Sequence, residues 1–189
     1  MAKNMNDGPG YSGSAASSAS FDALHVHLRA DLADDIATLG ARLLARGRML
    51  VTAESCTAGL VAYLLTTVPG ASDWFAGGVV AYSLEAKERL LGVPRGILDA
   101  HGAVSRETVR AMGKGALDRF GAQAAVSVSG VAGPTGGTAA TPVGTVVVGW
   151  AWPDGADEQI FSFAGDRAAV TAQAACAAIG GLLARIGEG

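Results

Sequence analysis

Three reactive side chains stand side by side in the stretch "VTAESCTAGLVAY", residues 51–63. Glu54, Ser55 and Cys56 follow a short apolar run typical of a buried strand, and a helical pattern follows them. Ser55 is therefore predicted at a strand-to-helix turn. Serine is a preferred helix cap, but free backbone amides at such a turn also stabilise a carboxylate or an oxyanion. Two roles stay open for Ser55: a helix cap, or a nucleophile that attacks a carbonyl.

A serine nucleophile needs a base, and the chain has only three histidines. Two of them belong to the predicted first helix, and His101 falls in a predicted loop, so a Ser-His-Asp triad is disfavoured. Lysine can act as the base where burial lowers its pKa. Lys87, on the short predicted helix "LEAKERLLGV", is the candidate. The alternative is an exposed lysine paired with Glu85 or Glu88.

Two further side chains near Ser55 each have a catalytic and a purely structural interpretation. Tyr82, at the end of the predicted second strand, could donate a hydrogen bond or relay a proton, or could simply be half-buried. Cys56 is a rival nucleophile, since a helix start lowers the pKa of a thiol, but cysteine is also a small buried hydrophobe. Cys56 and Cys176 show no CxxC or zinc-ligand spacing, so both are expected to be reduced.

Strand-helix-strand units and a terminal hairpin, "TVVVGWAW" and "EQIFSF" around "PDGAD", position these residues. They predict an α/β fold, a three-layer α/β/α sandwich with a mixed β-sheet. Residues 1–20 lack large apolar side chains and are expected to be a disordered tail. Residues 21–189 are expected to form one domain, whose first helix runs from Phe21 to a stop at Gly47.

The charge and the composition of the chain argue against nucleic acids and membranes as binding partners. The formal net charge is −3, and no Lys/Arg-rich run occurs, which argues against nucleic-acid binding. No uninterrupted apolar stretch is long enough to span a membrane, so a cytoplasmic protein is expected. The glycine-rich loop "SGVAGPTGGTAATPVG" matches neither a P-loop nor a dinucleotide motif. Its backbone could approach a phosphate or a flat ring closely, or the loop could simply be flexible.

Five blocks of the chain occur in a familiar order: "TAESCTAGL", "GGVVAYSLEAKERLLGV", "GAVSRETVRAM", "VSGVAGPTGGTAATPVGTVVVG" and "FAGDRAAV". Together they resemble the C-terminal domain family of the competence/damage-inducible protein CinA, over about residues 25–187. Stand-alone members of that family are nicotinamide mononucleotide deamidases.

The resemblance implies hydrolysis of the carboxamide of a small-molecule nucleotide, nicotinamide mononucleotide, with no cofactor and no metal. Ser55 would be the nucleophile, Lys87 its base, and Tyr82 would orient the lysine or relay the proton. Backbone amides around Cys56 and Thr57 would hold the oxyanion. The implied substrate-binding residues are Cys56, Thr57, Ser129, Gly130, Gly133, Gly136, Gly137 and Arg167, with the arginine near the phosphate.

Two positions depart from the family pattern, which usually reads "ESCTGG" and "YSNEAK". Ala58 replaces a glycine, and Leu84 removes a polar side chain next to the proposed base. Both changes could lower activity, so a non-catalytic module that binds a nucleotide or a protein stays the alternative. Family members are often homo-oligomers. The apolar hairpin near Trp150 and Trp152 could form that interface, or could equally be a covered sheet face.

Overall fold

The computed structural model describes the backbone of residues 15–187 and the side chains from residue 27 onward. Eleven helices and strands, α1–α6 and β1–β5, make up this part of the chain, with one 3₁₀ turn at Ala71–Asp73. In chain order they are α1 (Ala15–Ala45), β1 (Leu50–Glu54), α2 (Leu60–Leu65), β2 (Phe75–Val80), α3 (Leu84–Leu91), α4 (Arg95–His101), α5 (Arg106–Phe120), β3 (Ala124–Gly130), β4 (Thr145–Trp152), β5 (Gly155–Ser162) and α6 (Arg167–Ile186).

The five strands form one mixed sheet in the order β2-β1-β3-β4-β5. β1 lies between β2 and β3 and pairs in parallel with both, whereas β3-β4 and β4-β5 are antiparallel. Since β2, β1 and β3 run in the same direction, their carboxyl ends meet at one edge of the sheet. In open α/β sheets this edge is where ligands bind.

Helices cover both faces of the sheet. Alternate residues of a strand point to opposite faces of the sheet. In β1, Leu50 belongs to the apolar cluster built with α1, α2 and α6. Val51 and Ala53 belong to the cluster built with α3, α4 and α5 on the other face. All five residues of β1 are buried. The predicted three-layer α/β/α sandwich with a mixed sheet is confirmed.

The ends of several elements differ from the predictions. The first helix begins at Ala15, not Phe21, so the last six residues of the predicted tail are helical, while residues 1–14 lie outside the described part. α2 begins only at Leu60 because residues 55–59 form turns. The segment after Pro94 is a helix, α4, and His101 is its last residue rather than part of a loop.

The hairpin of β4 and β5 is packed inside the molecule on one side. Trp150 is fully buried, and its Nε1–H donates to the Ala178 carbonyl of α6 at 2.9 Å. Of the two interpretations of this hairpin, the covered sheet face is confirmed at Trp150. In length and composition α6 could cross a membrane, but it packs on α1 and on the sheet as a core helix does.

Two adjacent glycines of α6 allow a matched test of this packing. A methyl group at Gly181 would overlap the Trp150 indole, whereas one at Gly180 would meet no atom within 4 Å. We predict that Gly181→Ala lowers the free energy of unfolding by about 1–3 kcal/mol, the usual cost of overpacking. Gly180→Ala should be neutral or stabilising by up to about 1 kcal/mol, because alanine favours helix. Urea unfolding of both variants checks this, and equal values would contradict the packing described.

Candidate active site

The carboxyl ends of the three parallel strands hold the turn that carries Ser55. The Ser55 N–H donates to the Val128 carbonyl of β3 at 2.9 Å. On the other side, the Ala81 N–H donates to the Glu54 carbonyl at 2.8 Å. Sheet hydrogen bonding thus continues one residue past each strand and fixes Ser55 next to the segment that follows β2.

Lys87 reaches this turn from α3. Ser83 caps the helix, with its Oγ accepting from the Ala86 N–H at 3.1 Å. Helical side chains lean toward the helix N-terminus, so Lys87 points back at the residues before the helix. Its Nζ lies 2.9 Å from Ser55 Oγ, 2.8 Å from the Ala81 carbonyl oxygen and 3.1 Å from the Tyr82 carbonyl oxygen.

The surroundings of Lys87 destabilise its charged form relative to an exposed lysine. Its side chain is fully buried, and burial, which penalises the ammonium form, lowers its pKa to about 8. A neutral amine has two N–H donors and one lone pair. The carbonyls of Ala81 and Tyr82 can only accept, so they take both donors, and the lone pair is left facing the Ser55 hydroxyl. The expected Ser55–Lys87 meeting is present, and the exposed, ion-paired alternative for Lys87 is wrong.

Burial has a different consequence for the neighbouring thiol of Cys56, whose protonated form it stabilises. Cys56 is buried, and burial raises its pKa to about 11, an effect that outweighs the lowering by its own backbone amide and by Lys87. The thiol therefore stays protonated at neutral pH. This weakens the alternative in which Cys56 is the nucleophile, because the thiolate is the reactive form.

Glu54 organises the turn, a role that the sequence analysis missed. Its carboxylate is 1% exposed and accepts three backbone N–H groups: Oε2 from Gly59 at 2.9 Å and from Val61 at 3.1 Å, and Oε1 from Ala62 at 2.9 Å. These amides begin α2, whose own cap residue, Gly59, has no side chain. The sequence did contain a signal for this role: an acidic residue ends a buried strand, and the helix that follows has no capping side chain.

Two amides of the turn remain available. Ser55, Ala58 and the start of α2 all have acceptors for their N–H groups. Across the described residues, no carbonyl and no side chain other than the Cys56 thiol accepts from the N–H groups of Cys56 and Thr57. Apart from that thiol, no protein group competes for the expected oxyanion donors, which belong to the turn after Ser55 and not to a helix N-terminus.

Ala58 holds the turn in an unusual backbone conformation. Its φ is 50°, and within residues 15–187 it is the one non-glycine residue with positive φ. An L-residue in this region pays roughly 1 kcal/mol because its Cβ crowds the following carbonyl. The structure therefore supplies a physical reason why glycine would fit better at this position.

We predict that Ala58→Gly raises the free energy of unfolding, by about 0.5–1 kcal/mol, since relief of the left-handed strain exceeds the entropy that glycine loses on folding. Ala111→Gly, inside helix α5, is the control and should lower it by about 1 kcal/mol. Chemical denaturation of both variants checks the signs. Destabilisation by Ala58→Gly would show that the turn carries no such strain.

An open cavity of about 990 Å³ lies beside the turn. Three groups of residues line it: the turn itself, α2 with Tyr82, and the start of α6 with one residue of the glycine-rich loop. They are Cys56, Thr57, Ala58, Gly59, Leu60, Tyr63, Tyr82, Pro134, Asp166, Arg167, Ala168, Thr171 and Ala172. Neither Ser55, which is 6% exposed, nor Lys87 is among these lining residues. Ser55 directly precedes Cys56 in the chain and is hydrogen-bonded to Lys87.

The predicted substrate-binding residues divide into two groups. Cys56, Thr57 and Arg167 line the cavity, as does the Tyr82 ring, which is 62% exposed. In the described structure Lys87 is hydrogen-bonded to the Tyr82 carbonyl and not to its hydroxyl.

The other predicted residues do not reach the cavity wall. Ser129 is buried, and its hydroxyl donates to the Ala103 carbonyl at 2.7 Å. Gly130 packs its Cα against Thr145 and Val146, where a side chain would not fit. Of the glycine-rich loop, Pro134 lines the cavity, whereas Gly133, Gly136 and Gly137 are outside the lining set. Substrate contact by these residues stays a prediction, and the described geometry does not support it.

No histidine and no metal-binding cluster accompanies the pair in the described residues. His101 Nδ1 lies 3.7 Å from Glu107 Oε2 at an exposed position on α4. No group of three or more His, Cys, Asp or Glu side chains suits a metal ion in the part of the chain that was described. Within that part, the arrangement is a buried hydroxyl–amine pair, two free amides and an adjoining cavity.

Fold and site together define an α/β protein with a serine–lysine pair at the carboxyl edge of a mixed sheet. The family model of the CinA C-terminal domain matches residues 33–186. The chain belongs to the CinA C-terminal domain family.

Relatives include short and long proteins. The nicotinamide-nucleotide amidohydrolase PncC of Pseudomonas putida is 50% identical over 158 residues, 79% of this chain and 96% of that protein. The PncC of Enterobacter agglomerans is 50% identical over 141 residues, 72% of this chain and 84% of that protein. A CinA-like protein of Mycolicibacterium paratuberculosis is 61% identical over 108 residues, 57% of this chain, and the matched region spans 25% of that relative's length.

Solved structures share the fold. The competence damage-inducible protein A of Klebsiella pneumoniae superimposes with a TM-score of 0.78 at 39% identity, covering 80% of this chain and 94% of that chain. A competence/damage inducible protein of Agrobacterium tumefaciens gives a TM-score of 0.73 at 38% identity, covering 79% and 94%.

Proposed function

We propose that this protein is a nicotinamide-nucleotide amidohydrolase, which converts nicotinamide mononucleotide to nicotinate mononucleotide and ammonia in pyridine-nucleotide recycling. One observation carries the proposal: the fully buried Lys87 Nζ lies 2.9 Å from Ser55 Oγ. Two relatives named for this activity are about half identical over most of their length. A hydroxyl facing an uncharged amine suits nucleophilic attack on a carboxamide.

In the first half-reaction, Lys87 accepts the Ser55 proton as Ser55 Oγ bonds to the carboxamide carbon. The N–H groups of Cys56 and Thr57 donate to the oxyanion that forms. The Lys87 ammonium then gives its proton to the nitrogen, the C–N bond breaks and ammonia leaves. The products of this step are ammonia and an ester between Ser55 and the nicotinoyl group.

In the second half-reaction a water molecule takes the place of ammonia. Lys87 accepts a proton from water, the hydroxyl attacks the ester carbonyl, and the same two amides hold the second oxyanion. Return of the proton to Ser55 Oγ releases nicotinate mononucleotide. In this scheme Tyr82 contributes its carbonyl, which orients the lysine, and its ring, which lines the cavity.

The cavity gives the nucleotide an orientation. Arg167, the first residue of α6, is the cation in the lining set, so we place the substrate phosphate there. The pyridinium ring then lies near Ser55, in a cavity that Tyr63 and Tyr82 also line. A small-molecule nucleotide as partner, a location in the cytoplasm and self-association complete the proposal.

The proposal is tested by ammonia release from nicotinamide mononucleotide. We predict that Ser55→Ala abolishes turnover and that Lys87→Met lowers kcat by about a thousandfold or more, because the nucleophile loses its base. Lys87→Met keeps an unbranched apolar chain in the buried site, so the fold should persist. Lys114→Met, at an exposed lysine paired with Asp118, is the control and should retain wild-type rates.

Nucleotide binding by the wild type without ammonia release would instead support the non-catalytic binding module. Undiminished turnover by Ser55→Ala would exclude Ser55 as the nucleophile, and Cys56→Ser would then test the thiol.

The acidic limb of the pH–rate profile should report Lys87. Its pKa is lowered to about 8, so the neutral, reactive amine is the minor form below that pH and the major form above it. We predict that kcat/KM rises about tenfold per pH unit below pH 8 and levels off above it. Initial rates between about pH 5.5 and about pH 9.5 measure this limb. A limb near 10.5, the ordinary lysine value, would contradict the proposed uncharged base.

A further inference from the structure

Thr57 carries a buried hydroxyl that the protein leaves without a partner. In the described part of the chain, two buried side-chain oxygens lack a hydrogen-bond partner, Thr57 Oγ1 and Thr52 Oγ1. Leaving such an atom unpaired costs about 1–3 kcal/mol, and exceptions in folded proteins call for a specific reason. Thr52 lies in strand β1, covered by Gly78 and Ala62, away from the cavity. Thr57 lines the cavity, two residues after Ser55.

A carboxamide held at Ser55 brings two kinds of polar group. Its carbonyl oxygen needs donors, and the free N–H groups of Cys56 and Thr57 supply them. Its NH₂ group needs acceptors, and most of those nearby are occupied. The Ala81 and Tyr82 carbonyls accept from Lys87, and the Glu54 carboxylate accepts from three amides of α2. Of the buried side-chain oxygens described around the pair, Thr57 Oγ1 is the one without a hydrogen-bond partner.

We propose that the Thr57 hydroxyl accepts a hydrogen bond from the carboxamide NH₂ of the substrate and so selects amides over the corresponding esters. This inference rests on the proposed function. Thr57 would be a substrate-binding residue that recognises the leaving group, whereas the backbone amides recognise the oxyanion. A site with a buried group that pairs only with the correct substrate discriminates well, because the wrong substrate leaves that group unpaired.

The side chain can make this bond at little cost. Thr57 lines the cavity and is 3% exposed, and its Oγ1 is buried. Threonine occupies staggered rotamers, and rotation about its Cα–Cβ bond exchanges the hydroxyl with the methyl group. Because the hydroxyl has no protein partner to lose, the bond to the substrate removes an existing penalty.

The test compares two ligands that differ only in the leaving group: nicotinamide mononucleotide and the methyl ester of nicotinate mononucleotide. Binding is measured by calorimetry in a Ser55→Ala background, which prevents turnover, with and without Thr57→Val. Valine has the shape of threonine without the hydroxyl. We expect Thr57→Val to weaken binding of the amide by about tenfold, and of the ester by less than about twofold, as one lost hydrogen bond implies.

Thr52→Val, which removes the other unpaired hydroxyl, should change neither affinity, and Thr57→Ser should retain the preference for the amide. Melting temperatures of Thr57→Val and Thr52→Val should equal or exceed that of the parent, since neither change breaks a protein hydrogen bond. An equal loss for both ligands, or a marked drop in melting temperature for Thr57→Val, would overturn the inference.

The same experiment separates this inference from the proposed function. Selective weakening of amide binding by Thr57→Val supports the inference even if the wild type releases no ammonia, an outcome that counts against the proposed reaction alone. Turnover by the wild type together with equal weakening of both ligands overturns the inference and leaves the reaction standing. Absence of binding by the amide overturns both.

Discussion

Burial of a lysine amine without a carboxylate partner is the constraint on which the site depends. An ammonium taken out of water costs several kcal/mol unless it is paired, and no carboxylate hydrogen-bonds to Lys87 Nζ among the described residues. Two carbonyls and one hydroxyl surround it instead, and none of them carries a charge that would offset the burial of an ammonium. The pKa near 8 follows from this setting. The chain thus accepts an unfavourable position for an ammonium ion, and the result is a base beside Ser55.

The alternation of side chains along a β-strand explains how two adjacent residues have two different roles. Successive side chains of an extended chain point to opposite faces. Glu54 points toward α2 and collects three amides, whereas Ser55 points toward α3 and meets Lys87. The carboxylate also removes the α2 amides from competition for a substrate oxyanion. Only the turn amides next to the nucleophile remain, so the geometry after Ser55, and not a helix dipole, decides where an oxyanion can be held.

Sequence patterns were enough to predict the layers and the meeting of Ser55 with Lys87. Apolar strand runs and helical periodicity predicted the mixed sheet, and the family resemblance paired the two residues, which are 32 positions apart. Patterns could not show that Lys87 is buried, because its sequence neighbours are charged and burial depends on how α3 packs. Nor could they predict the role of Glu54, since its three partners are backbone amides.

The same limit applies to the part of the predicted pocket that the described geometry does not support. The family resemblance implied that Ser129 and Gly130 face a nucleotide. In a central strand, however, a small residue can equally serve packing: Gly130 makes room for β4, and the Ser129 hydroxyl is occupied by Ala103. Sequence alone does not distinguish a glycine needed by a ligand from one needed by a neighbouring strand.

The two departures from the family pattern differ in their structural consequences for the site. Leu84 is the first residue of α3 and packs against the apolar cluster of α3, α4 and α5. The three partners of Lys87 Nζ are supplied by Ser55, Ala81 and Tyr82, so the lysine keeps its hydrogen bonds without a polar side chain at this position. Ala58 is the more consequential change, because its strained φ lies in the turn that contains both free amides. A cost of roughly 1 kcal/mol there is small beside the stabilisation that aligned amides give an oxyanion, so the catalytic geometry can persist while the fold loses some stability.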